Sequence, residues 1–210
     1  MQIMDFETVI LADGTFPVHE VPLDCLKKAK RIVCSDGSVK SLLDAGYLPH
    51  AIVGDLDSLT REIAEKYQDR LFRDDDQETN DLTKSVFWCC RRGYKDLAII
   101  GATGKREDHT IGNISLLADY AKVANILMIT DTGILLPFLK SFEIETFAGQ
   151  QVSIFSFDQQ MEISSKGLKY PLLKKKITRW WEATLNEAVG NTIELNFTGG
   201  PVILFLKFGV

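Results

Sequence analysis

Cysteine is scarce in this 210-residue chain: there are four, Cys25, Cys34, Cys89 and Cys90, and no two are spaced as Cys-x-x-Cys. Two of them are neighbours in a helix-like stretch, so neither a zinc site nor a disulfide framework is indicated, and all four read as reduced packing residues. Long apolar runs are missing as well, since none approaches the roughly 20 residues needed to cross a bilayer. The opening MQIMDFETVILADG lacks a cationic region followed by an apolar stretch and a cleavage site, so no membrane partner and a cytoplasmic location are expected. Nor is there a surplus of positive charge. Lys and Arg number 24 against 29 Asp and Glu, a net charge of -5, which excludes a general binder of nucleic-acid backbones and leaves only local basic patches.

What is present looks like an ordinary globular chain. Hydrophobic residues make up 45% and charged ones 25%, with 15 Gly and 6 Pro, which excludes collagen-like, disordered and low-complexity classes. The length suits one large domain or two small ones. Over the first two thirds, short apolar runs alternate with helix-like stretches, the signature of parallel strands joined by crossover helices. Strands are expected at Thr8 to Leu11, Arg31 to Ser35, Ala51 to Gly54, Asp96 to Ala102 and Asn125 to Thr130. Helices are expected at Pro22 to Lys30, Val39 to Ala45, Arg61 to Asp69, Asp81 to Arg92 and Asp108 to Ala121, with Gly46 and Gly93 as C-terminal caps. From about Ile134 the rhythm turns to β-strands: Glu143 to Phe147, Gln151 to Phe157, Met161 to Ser165, Thr192 to Phe197 and Pro201 to Phe208. Ile193, Leu195 and Phe197 alternate with polar neighbours, whereas VILFLKF is apolar on both faces and suits a central or interface strand. The expected fold is α/β: a parallel-sheet, three-layer nucleotide domain over residues 1–137, followed by an all-β sandwich over residues 138–210.

In an open α/β sheet, ligands bind beyond the carboxyl ends of the strands, so the residues following each strand carry the chemistry. Asp36-Gly37-Ser38 follows one strand, and Gly37 allows close approach of a phosphate or adenine to the backbone. Asp55 and Asp57 follow the next. Two residues apart on an extended segment they project to one side, where two hard carboxylate oxygens can share a divalent cation; the competing reading makes Asp57 or Ser58 a helix cap. Acidic groups after the neighbouring strands favour the cation, because unneutralised they repel one another. In QETNDLTK, Thr79 or Asn80 caps a helix and places Asp81 and Lys84 on one face, as a metal and phosphate pair or as an ordinary ion pair. The GATGKREDH stretch is not a Walker loop, because only two residues separate Gly101 from Gly104 and Arg106 follows Lys105. It still offers a glycine turn, two cations and a helix start that favours an anion. Lys174 to Lys176 read as a solvated turn, and the adjacent Trp180 and Trp181 read as opposite faces of an extended segment, at least one of them exposed.

Taken together, Asp36-Gly37, GDLDS at 54–58, QETNDLTK at 77–84, GATGKREDH at 101–109 with Asn113, and GLKYPL at 167–172 resemble the thiamine pyrophosphokinase family in order and spacing. The resemblance implies an α/β nucleotide domain, a C-terminal β-sandwich and a homodimer with thiamine sites between subunits. It also implies a transferase reaction, in which the thiamine hydroxyl attacks the β-phosphorus of magnesium-bound ATP to give thiamine diphosphate and AMP. On this resemblance Asp55, Asp57 and Asp81 hold Mg2+, while Asp81, Arg106 and Asp108 are catalytic. Asp36, Gly37, Ser38, Lys84, Gly104, Lys105, Arg106, Asp108 and His109 bind the nucleotide, and Gln77, Tyr170, Thr184 and Asn186 bind thiamine. The chain departs from the family pattern at Ser38 and Lys105, both usually glycine, at Asn80, usually Thr, and at Thr184-Leu185-Asn186-Glu187, where Ser-Asn often faces thiamine. Two other functions compete: a diphosphokinase for a pterin alcohol, against which GLKYPL argues, and a non-catalytic nucleotide or thiamine sensor, against which the complete acid set argues.

Overall fold

The computed structural model describes residues 6–209, so residues 1–5 and 210 of the two expected domains lie outside the described residues. The chain divides into two compact units, with the main boundary between Asp131 and Thr132 and Leu117–Lys122 grouped with the second. The sequence rhythm sets the change at residue 137, whereas in the structure the strand beginning at Gly133 belongs wholly to the second unit.

In the first unit the elements run β1 (Thr8–Leu11), α1 (Glu20–Lys28), β2 (Arg31–Ser35), α2 (Val39–Asp44), β3 (Ala51–Gly54), α3 (Arg61–Lys66), β4 (Leu71–Arg73), α4 (Asp81–Arg91), β5 (Asp96–Ile100), α5 (Glu107–Tyr120) and β6 (Asn125–Ile129). Strands β1 and β3 are buried at every residue, as apolar runs covered on both faces should be. All six strands pair in parallel, in the order β6-β5-β1-β2-β3-β4. From β1 the chain winds outward through β2, β3 and β4, then returns to the other side of β1 for β5 and β6. Sequence order therefore reverses at β1 and β5, and their carboxyl ends open the crevice that doubly wound sheets use for ligands. Helix α4 packs on β2 and β3. Asn80 caps it, Oδ1 accepting the Thr83 N–H at 2.8 Å. Gly46 and Gly93 follow α2 and α4 with φ of 84° and 79°, the left-handed turn that ends a helix without a Cβ clash.

The second unit contains β7 (Gly133–Phe138), β8 (Phe142–Glu145), β9 (Gln151–Ser156), β10 (Glu162–Lys166), β11 (Lys175–Lys176), β12 (Asn186–Glu187), β13 (Thr192–Phe197) and β14 (Val202–Lys207). They form two antiparallel groups, β12-β9-β14-β7 and β11-β10-β13-β8. Both groups feed one core: Val152 and Ile154 from β9 and Val202, Leu204 and Leu206 from β14 meet Ile163 from β10 and Ile193, Leu195 and Phe197 from β13. The two-faced apolar run is a central strand, β14, with β7 on one side and β9 on the other. Two local expectations are corrected. Lys175 and Lys176 are exposed as expected but form a short edge strand against β10, which supplies the backbone partners a turn would lack. Trp180 and Trp181 lie in a 3-10 turn, Trp180–Ala183, and both stay exposed, at 45% and 67%. Trp180 is held there edge-on to Phe155 and Phe157.

Candidate active site

A cleft of about 290 Å³ opens beyond the carboxyl ends of β1, β2 and β5, where the winding reverses. Its walls are Ala12, Asp13 and Gly14 after β1, Ser35 at the end of β2, Asn80 and Asp81 at the start of α4, and Thr103, Lys105 and Arg106 after β5. His109 and Asn113 of α5 complete it. Asn113 ties two walls together, donating to the Ala102 carbonyl at 2.9 Å and accepting from Asn80 Nδ2 at 3.3 Å. Asn80 is thus both helix cap and crosslink.

Asp55, Asp57 and Asp36 form an acidic group, each offering a carboxylate oxygen, with these atoms all within 4.8 Å of one another. Asp36 is 3% exposed. Burial, and next the charge of Asp81, push its carboxyl up to about 6, against the lowering effect of hydrogen bonds from the Gly37 and Leu56 N–H groups. Asp55 moves the other way: the Asp57 N–H, donating to Oδ1 at 3.2 Å, lowers it. Asp81 stands outside this group of three but close enough for its charge to act on Asp36, and it accepts from Lys84 Nζ at 3.2 Å. Lys84 is buried, at 4% exposure. Burial alone depresses its ammonium, yet the hydrogen bond and charge of Asp81, with Asp55 and Asp74, leave it raised. Hard oxygens carrying mutual repulsion are the donor set a divalent cation of the magnesium type prefers.

The cationic side is exposed and already paired. Arg106 grips Asp108 with two hydrogen bonds, at 2.6 and 3.1 Å, which hold the Asp108 carboxyl down to about 2 and raise the guanidinium. His109 adds its backbone N–H to Asp108 at 2.9 Å. Lys105 Nζ meets Asp13 at 2.7 Å. Exposed pairs of this kind are weakly held, so a phosphate can displace either carboxylate. Gly104 takes φ of 101° and turns its N–H to Thr110 Oγ1.

Other residues singled out by sequence lie elsewhere. Ser38 is fully buried, its hydroxyl donating to the Leu11 and Ser35 carbonyls at 2.8 and 2.7 Å. Gln77 is exposed, its amide resting at 3.4 Å on the Asp75 carbonyl. In the second unit, Asn186 is buried and clamps the backbone of Tyr170, accepting from its N–H at 3.1 Å and donating to its carbonyl at 2.7 Å. The Tyr170 side chain is left exposed, and the Thr184 hydroxyl caps the Trp181 carbonyl at 2.8 Å. Sequence reasoning missed Asp13. Its signal was available, because LADG ends β1 as SDG ends β2, with an Asp-Gly at the carboxyl end of an apolar strand.

A parallel sheet whose reversal point gathers acids, cations and glycine turns, joined to a β-rich unit, defines a class of α/β protein suited to phosphorylated ligands. The comparisons with known proteins narrow it. Family profiles described as "Thiamin pyrophosphokinase, catalytic domain" and "Thiamin pyrophosphokinase, substrate-binding domain" match residues 23–129 and 133–205. The chain therefore belongs to the thiamin pyrophosphokinase family. Thiamine pyrophosphokinase of Bacillus subtilis is 26% identical over 179 residues, 80% of this chain and 83% of that one. Thiamin pyrophosphokinase 1 of Caenorhabditis elegans is 30% identical over 114 residues, 50% of this chain and 46% of that relative, so the match spans about half the relative's length. Thiamine pyrophosphokinase 1 of Oryza sativa subsp. japonica is 31% identical over 143 residues, 56% of this chain and 54% of that relative. The solved structures of thiamine pyrophosphokinase from Bacillus subtilis and Candida albicans both superpose with TM-score 0.78, at 23% and 18% identity. They cover 97% of this chain and 100% and 90% of theirs, which extends the likeness in fold to nearly the whole molecule.

Proposed function

We propose that the protein is a thiamine diphosphokinase, moving a diphosphoryl group from ATP to the hydroxyl of thiamine. The hydroxyl oxygen forms a bond to the β-phosphorus, the bond from that phosphorus to the α,β-bridging oxygen breaks, the hydroxyl proton is released, and AMP leaves. The observation that carries the reading is a cleft at the reversal point of the sheet lined by Asp13, Asp81, Lys105 and Arg106, with the acidic group of Asp36, Asp55 and Asp57 near enough for the charge of Asp81 to act on Asp36, in a chain matched by both family profiles. Asp55, Asp57 and Asp81 would hold Mg2+, which when bound screens the triphosphate and polarises it toward attack. Arg106 and Lys105, released from Asp108 and Asp13, neutralise phosphate oxygens, and buried Lys84 holds Asp81 in place through its hydrogen bond. Catalysis of this kind is positioning and charge neutralisation, with no covalent enzyme intermediate.

In the same reading the first unit is a three-layer nucleotide domain, the second binds thiamine through Tyr170, Thr184 and Asn186 with Gln77, and the protein works as a cytoplasmic homodimer with thiamine sites between subunits. Exposed Trp180, Trp181 and Leu185 support a partner chain, because adjacent apolar side chains of this size are seldom left to water. Incubating the purified protein with ATP, Mg2+ and a panel of alcohols tests the reaction. AMP release dependent on thiamine is expected; release with a pterin alcohol instead, or none with any alcohol, overturns it.

A further inference from the structure

We infer that Asp36 is a positioning residue for the cation-binding acids, holding the turn between them from behind. The inference rests on the reading of Asp55 and Asp57 as metal ligands and adds what holds them in place. Between those two residues, Leu56 adopts φ of 69°, a left-handed conformation that a bulky side chain rarely takes unless its surroundings impose it. What imposes it is Asp36, whose Oδ2 accepts the Leu56 N–H at 2.9 Å while Oδ1 accepts the Gly37 N–H at 2.8 Å. Both carboxylate oxygens are thus engaged with the backbone, and the side chain is buried behind the turn it holds. With Leu56 turned in this way, Asp55 and Asp57 fall on one side, and the Asp57 N–H closes back on Asp55 Oδ1.

Asp36 is in turn fixed from behind. Its 3-10 turn, Asp36–Ser38, is pinned by the Ser38 hydroxyl to the carbonyls of Leu11 and Ser35, at the ends of β1 and β2. This gives the Ser38 hydroxyl a task of its own. From the other side Gly54 leaves the space the carboxylate needs: a Cβ there would sit 2.7 Å from Asp36 Cγ and 2.9 Å from each of its oxygens. Three consecutive strands therefore converge on one turn, and the two acids inherit the rigidity of the sheet.

The test is Mn2+ binding to the nucleotide-free protein, followed by electron paramagnetic resonance, alongside kcat and the KM values for ATP and thiamine. Asp36→Ala is expected to weaken Mn2+ binding by about 10- to 100-fold, the usual loss when a residue that orients metal ligands is removed. Asp36→Asn keeps an acceptor for the Leu56 N–H but turns its amide NH2 toward the Gly37 N–H, so it should recover most, not all, of the Mn2+ binding that Asp36→Ala loses. Gly54→Ala changes no charge and no ligand, yet by displacing Asp36 it should reproduce the Asp36→Ala loss, with KM for thiamine unchanged in all three. If Asp36→Asn is as impaired as Asp36→Ala, or if Gly54→Ala binds Mn2+ normally, the inference is wrong. Should Asp36→Ala fail to fold, the contrast between Asp36→Asn and Gly54→Ala decides alone. A parent protein that binds no Mn2+ overturns the metal assignment itself and this inference with it, whereas normal binding without the expected pattern overturns only the role of Asp36.

Discussion

The acids after β3 and the guanidinium after β5 separate by what their loss should do. Asp55→Ala or Asp57→Ala should abolish AMP formation and leave thermal unfolding nearly unchanged, because neither side chain is part of the core. Near-normal turnover in either variant removes the metal assignment. Arg106 is two-thirds exposed and, among the described residues, its side chain pairs only with Asp108, so Arg106→Ala should lower kcat far more than it raises KM for thiamine; steady-state kinetics showing the reverse place Arg106 on the thiamine side. The thiols provide a pH test. Burial pushes Cys34 and Cys89 up to about 12, from an ordinary value of 9.0. The native protein keeps those protons that the unfolded chain releases near 9.0, so the stability they contribute is full below that pH and is lost as it climbs toward about 12. At pH 8, iodoacetamide should therefore leave both unlabelled until denaturant is added; rapid native labelling of Cys34 contradicts the burial described above.

Helices and strands were legible where their cause is local. Asn80 before a run with Leu82, Val86 and Cys89 spaced for one face marks α4, and the structure buries those three side chains. Asn80→Ala should cost about 1 kcal/mol in urea unfolding, as for other lost caps, and more if the contact with Asn113 adds to it. An unchanged midpoint would mean that α4 is held by tertiary packing alone. The elements that escaped are those without a period. Strands β11 and β12 are two residues each and exist only because β10 and β9 offer backbone partners. The 3-10 turn at Trp180–Ala183 depends on Glu182 accepting from the Thr178 and Arg179 N–H groups, a local closure that hydrophobic alternation cannot reveal. At the site the acids and cations were legible by type and by their place after strands. Their hydrogen-bond partners, such as Asp13 for Lys105 and Leu56 for Asp36, depend on which strands become neighbours.

For the molecule as a whole, the sequence rhythm separated an α/β part from a β part because burial on both faces and burial on one face leave different patterns. It did not locate the reversal of winding at β1 and β5, a property of strand order that no single strand encodes. Leu204 is fully buried in the core shared by both sheets of the second unit, so Leu204→Ala should cost about 2–5 kcal/mol, read by denaturant titration. A loss below 1 kcal/mol, roughly that of a surface change, would mean the two sheets do not share that core.

That residue's strand, β14, has a consequence for biosynthesis. It is the last of the described strands in chain order, yet it supplies the partner for both β7 and β9. While the polypeptide emerges from the ribosome, those two earlier strands must wait with open hydrogen-bonding edges until the final one arrives. The second unit of the nascent protein is accordingly the part that most needs shielding from aggregation, and a frameshift or stop between Phe197 and Val202, which removes β14, would leave it permanently in that sticky state.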